Sequence, residues 1–75
     1  MYEIYGTQNC SFCHKAKQLL AQYDKTYTFI DVGSNQDMMT AFLNRFPGTK
    51  TVPQIVLEDE HIGGYHDLEK RLTFA

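Results

Sequence analysis

Cys10-Ser11-Phe12-Cys13-His14 holds both cysteines of this 75-residue chain. Two thiols two residues apart can exchange a disulfide with each other. The same five letters also fit a covalent haem attachment site, so the surrounding chain must decide between them. The pair follows a short apolar run, Tyr2–Tyr5, and the polar loop Thr7-Gln8-Asn9. It precedes a segment in which Ala16, Leu19, Leu20 and Tyr23 recur at helical spacing. Cys10 is therefore expected at the end of a loop and Cys13 in the first helical turn. Backbone N–H groups at a helix start lack intrahelical partners, and the macrodipole adds partial positive charge. Both favour a thiolate at Cys10. The thiolate is the attacking species. Cys13 can then attack a mixed disulfide formed at Cys10 and release the partner as a thiol. Lys15 and Lys17 add positive charge nearby but read as a solvated helix face, and His14 reads as an exposed helix residue rather than a catalytic base.

Four other uses of the cysteines compete. Buried structural thiols would not usually fall in a polar loop at a helix start. Structural zinc needs about four ligands, and beyond the two cysteines only His14, His61 and His66 are on offer. Haem attachment needs export and an axial ligand such as Met38 or Met39. A shared iron–sulfur cluster is the strongest of the four. As a staple the pair is weak: closing so short a loop yields about 2 kcal/mol in the chain-entropy model. The pair is better placed for chemistry than for scaffolding.

The chain that positions these residues reads as one small domain, residues 1–75. Its hydrophobic fraction is 43%, with five Tyr and five Phe, enough for a compact core. A net charge of −2 and no basic cluster do not suggest a nucleic-acid partner. No transmembrane run or signal peptide is evident, so no membrane partner is expected and the default location is cytoplasmic. In a reducing cytosol such a pair cycles or binds metal rather than staying bridged. Glu3-Ile4-Tyr5 reads as a strand ending at Gly6. Thr26–Asp31 reads as a second strand. Ser34 with Asp37 resembles a helix N-cap pair, followed by the stripe Met38, Phe42, Leu43, Phe46 and stopped at Pro47-Gly48. Gln54–Leu57 is a third strand, Glu58-Asp59-Glu60 a polar turn, and His61-Ile62 a short fourth strand. After Gly63-Gly64, Tyr65–Leu72 can form a last helix. The order β-α-β-α-β-β-α implies an α/β fold. Its opening strands form a parallel pair with a right-handed crossover and its last strands an antiparallel hairpin, in a four-stranded mixed sheet flanked by three helices.

Two further segments carry weaker signals. Pro53 in Thr51-Val52-Pro53-Gln54 stands at a strand start, where proline is tolerated. In the cis form it would hold a bend and leave the preceding backbone free to pair with an extended ligand. Gly63-Gly64-Tyr65-His66-Asp67-Leu68 is either a flexible turn or a helix start that receives a carboxylate.

Together, from Glu3 to Leu72, the three segments resemble the glutaredoxins of the thioredoxin superfamily. Cys10-Ser11-Phe12-Cys13-His14-Lys15-Ala16-Lys17 is similar to the family's dithiol motif, Thr51-Val52-Pro53-Gln54-Ile55 to its cis-proline loop, and His61–Leu68 to its Gly-Gly segment. The resemblance implies a thioredoxin-like fold and a glutathione-disulfide oxidoreductase. Cys10 is then the nucleophile and Cys13 the resolving thiol. Phe12 flanks glutathione, Thr51, Val52 and Pro53 line the groove, and Gly64, Tyr65, His66 and Asp67 receive the γ-glutamyl end. Glutathione is the implied reductant, with disulfide-containing proteins as substrates, ribonucleotide reductase among the candidates, and a monomer as the working form. No metal is expected, the iron–sulfur cluster being a minor option. The chain departs from the family pattern at three places. Ser11 replaces the usual proline, and members with serine there include some that assemble a glutathione-ligated cluster. Thr7 replaces a lysine, with Lys50 the candidate to compensate, and His66-Asp67 replaces a pair of aspartates. The rival implied activity is a small redoxin recharged by thioredoxin reductase and dedicated to ribonucleotide reductase.

Overall fold

A computed structural model describes residues 1–49 and 51–74, so the compensating role considered for Lys50 lies outside the described residues. The elements follow in the expected order: β1 (Tyr2–Gly6), α1 (Ser11–Gln22), β2 (Tyr27–Asp31), α2 (Gln36–Arg45), β3 (Gln54–Leu57), β4 (Glu60–Gly63) and α3 (Tyr65–Phe74). The sheet runs β2-β1-β3-β4. β1 pairs parallel with β2, placing Ile4 opposite Phe29, and antiparallel with β3, placing Ile4 opposite Ile55. β3 pairs antiparallel with β4.

Strand alternation splits β1 between two cores. Tyr2 and Ile4 meet Ala16 and Leu20 of α1, Ile55 of β3 and Leu68 of α3. Tyr5 meets Val32, Val56 and the α2-side residues Phe42 and Phe46. The central strand is thus covered on both faces, and its C-terminal end delivers the chain into the loop that carries Cys10.

Several local expectations need correction. Asn35, not Ser34, caps α2: its side chain accepts the Met38 N–H at 2.8 Å. Both residue types cap well, but the Ser34 hydroxyl is turned back to donate to the Asp31 carbonyl. Leu43 is 47% exposed, and Met39 packs with Phe42 and Phe46 instead. Positions 39, 42 and 46 keep helical spacing on one side, whereas 43 is rotated by about 100° from 42. The turn after β3 has two residues rather than three, because Glu60 already pairs with Leu57. Glu58 and Asp59 take φ of 49° and 68°, the hand that a two-residue hairpin needs to match strand twist. The last helix also continues past Leu72 to Phe74.

Candidate functional site

Cys10 occupies the N-cap of α1 with extended backbone. Its Sγ accepts the Cys13 N–H at 3.0 Å, so the sulfur takes the place that a serine or aspartate oxygen usually fills at a helix start. The partly buried Cys10 thiol also lies 3.7 Å from the Val52 carbonyl, to which it donates. The loop before it is pinned by His14, whose Nε2 stands 3.1 Å from the Gln8 carbonyl. A carbonyl only accepts, so that nitrogen carries the hydrogen, and the contact gives His14 a structural task.

Cys13 lies one helical turn on and is fully buried. It rests on Gly6, where an added Cβ would stand 2.5 Å from the Cys13 Sγ. Burial first, and then the hydrogen bond with Cys10, push the Cys13 thiol up to about 12; the Thr7 backbone N–H and the Lys17 charge pull it down, but by less. Cys13 is therefore a neutral thiol at neutral pH. Lys17, read from sequence as part of a solvated face, is half-buried with its Nζ 3.7 Å from the Phe29 ring centroid, and Lys15 stands 5.0 Å over Phe12.

Beside the sulfurs runs a groove of about 290 Å³, lined by Phe12, Thr51, Val52, Pro53, Gly64, Tyr65, His66 and Asp67. These are the eight residues that the sequence resemblance assigned to a ligand groove, and the fold brings them together from three separated segments. Cys10 touches this groove through Val52, and the buried Cys13 is tied to it through the Cys10 sulfur. The Val52–Pro53 bond is cis. Phe12 packs on Tyr65 and His66, both at 5.7 Å between ring centroids, joining the first turns of α1 and α3. At the head of α3, Leu68 bonds to the Gly64 carbonyl, and the Asp67 carboxylate accepts the Gly64 N–H at 3.0 Å. Gly64 thus stands at the cap position without a side chain to occupy the first-turn N–H groups, an arrangement that suits an anion.

Sequence reasoning passed over Gly6, His14 as a loop anchor, and Gln54. Gly6 looked only like a strand end; its contact with Cys13 exists in three dimensions alone. Among the described residues, no three His, Cys, Asp or Glu side chains gather as metal ligands. No helix among them is long and apolar enough to cross a membrane.

Comparison with known proteins points one way. Residues 2–62 match the family model Glutaredoxin. Glutaredoxin 1 of Rickettsia typhi is 39% identical over 66 residues, which cover 87% of this chain but only 64% of that relative. Glutaredoxin 3 of Escherichia coli K12 is 36% identical over 66 residues, covering 88% of this chain and 78% of the relative. Among solved structures, a buckwheat glutaredoxin–glutathione complex superposes with a TM-score of 0.78 at 27% identity, covering 93% of this chain and 66% of that one.

Proposed function

We propose, from the premise that this chain belongs to the glutaredoxin family, that it is a thiol–disulfide oxidoreductase recharged by glutathione. The observation that carries the reading is the Cys10 sulfur at the cap of α1, hydrogen-bonded by Cys13 and set at the edge of a groove of peptide-ligand size. The buckwheat relative is a glutathione complex, and the groove here offers what such a ligand needs. It has an apolar wall of Phe12 and Tyr65, an edge of backbone at Val52, and a helix start at Gly64–Asp67 for a carboxylate.

The two cysteines act in sequence. Cys10 attacks a substrate disulfide; that S–S bond breaks and a Cys10 mixed disulfide forms, while the departing sulfur takes a proton. Cys13, protonated until then, gives up its proton as it attacks the Cys10 sulfur. The second substrate thiol leaves and a Cys10–Cys13 disulfide remains. One glutathione thiol attacks this disulfide at Cys10 and frees Cys13; a second attacks the resulting mixed disulfide and departs as glutathione disulfide. Where the substrate is itself a glutathione mixed disulfide, Cys10 alone suffices.

The test is a coupled assay on a small glutathione mixed disulfide, with either glutathione plus glutathione reductase or thioredoxin reductase as the recharging system. Turnover with glutathione is expected, and its absence sinks the reading in favour of the thioredoxin-reductase route. Cys10→Ser is expected to abolish all activity. Cys13→Ser is expected to retain turnover of the mixed disulfide and lose reduction of protein disulfides.

A further inference from the structure

Gln54 is the buried polar side chain of the described residues, 6% exposed at the head of an apolar strand. An amide removed from water is costly unless its donors and acceptor are engaged. Its Nε2 donates to the Thr51 carbonyl at 3.1 Å. That leaves Oε1 as the acceptor, and the His61 Nε2 lies 2.7 Å from it. The imidazole nitrogen must therefore carry a hydrogen. His61 in turn packs on the Phe46 ring, 4.6 Å between centroids. A continuous chain of contacts thus runs from Phe46 at the end of α2, through His61 on β4 and Gln54 on β3, to the backbone of Thr51. Thr51 is the first residue of the groove loop, whereas Gln54 and His61 do not line that groove.

We propose that Gln54 and His61 are positioning residues for the glutathione groove, acting through the Thr51 carbonyl to hold the Thr51-Val52-Pro53 backbone in its binding orientation. The inference rests on the glutathione reading above. A purely structural role would lower stability and leave the KM of the folded protein unchanged. A positioning role weakens binding while chemistry at Cys10 continues.

The experiment compares Gln54→Leu, His61→Phe and the double variant with the parent chain, using a small glutathione mixed disulfide and glutathione. Leu fills the buried site without polar atoms, and Phe keeps the stack on Phe46. Each single variant is expected to raise KM about two- to tenfold, the loss of about one net hydrogen bond, with kcat held within about twofold. Because both act through one chain of contacts, the double variant is expected to be no worse than Gln54→Leu. Unchanged KM in folded Gln54→Leu, or fully additive effects, overturns the proposal. Backbone NMR order parameters at Thr51 and Val52 read the loop without any ligand, so they separate this proposal from the glutathione reading. Gln54→Leu is expected to lower them from the rigid range of about 0.85 toward about 0.6. Unchanged order parameters overturn the positioning role even if the parent chain never turns over with glutathione.

Discussion

Neighbouring backbone and side chains make the two sulfurs chemically unequal. Cys13 is pressed against Gly6, and that contact predicts the outcome of adding one methyl group. Gly6→Ala is expected to cost about 1–3 kcal/mol through overpacking, measured by urea unfolding. It is also expected to slow dithiol reduction of protein disulfides more than turnover of glutathione mixed disulfides, since only the former needs Cys13. A second prediction follows from the raised Cys13 pKa. A thiol held protonated in the fold to about 12, against an ordinary value of 9.0, binds more protons folded than unfolded across that window. Its contribution is complete below about pH 9 and is lost as pH rises toward 12. Tyr5 is also pushed up from its ordinary value of 10.0, chiefly by burial, so the comparison must be with Cys13→Ala. The reduced parent chain is expected to lose stability between pH 9 and 12 more steeply than that variant, in denaturant melts at each pH. The Cys10–Cys13 pair stood out by its spacing, but its use could be read only with the surrounding chain. Gly6 was not, because nothing in a linear sequence reports what lies across from a strand end.

Two elements carry features that their sequences only half announce. The hairpin between β3 and β4 places Glu58 and Asp59 at positive φ, and a left-handed conformation costs about 1 kcal/mol for most residues. The double substitution Glu58→Asn with Asp59→Gly is expected to raise Tm by about 5 °C. The bond lost between Glu58 and the N-terminal amine is exposed on both sides and offsets little of that gain. At the start of α3, Asp67 has two tasks, closing the Gly64 N–H and lining the groove. Asp67→Asn keeps an acceptor oxygen but loses the negative charge that faces the α-ammonium of a γ-glutamyl end, so it is expected to hold Tm while raising KM for glutathione. Asp67→Ala is expected to lose about 1 kcal/mol as well. The order of strands and helices was readable because apolar residues recur at the right periods. The boundaries were harder: Ser34 and Asn35 are equally good caps by composition, and only the turn of Ser34 toward Asp31 separates them. The two-residue turn was obscured because three acidic residues in a row look uniformly like loop.

The whole molecule stands on a small margin. About 0.05–0.15 kcal/mol per residue gives a chain of this length roughly 4–11 kcal/mol in total. Leu68, fully buried where α3 meets α1 and β1, is expected to cost about 2–5 kcal/mol when cut to Ala. That is enough to leave the protein substantially unfolded on mild heating, whereas exposed Leu43→Ala is expected to shift stability by less than about 0.5 kcal/mol. Paired thermal melts decide it. The groove shares this fate, since its walls come from α1, the loop before β3 and the start of α3, and none of them holds the shape alone. Only the family resemblance made the gathering of those walls legible in advance; each segment by itself read as an ordinary turn. The burial of Cys13 also bears on damage. Peroxide can reach Cys10 but not the sulfur behind it, so oxidation begins at Cys10 as a sulfenic acid. Cys13, one helical turn away, can condense with that sulfenic acid to a disulfide before a second oxidant carries it to the irreversible sulfinic form. The hidden thiol thereby acts as a fuse, and mass spectrometry after peroxide treatment is expected to find sulfinic Cys10 accumulating in Cys13→Ser and not in the parent chain.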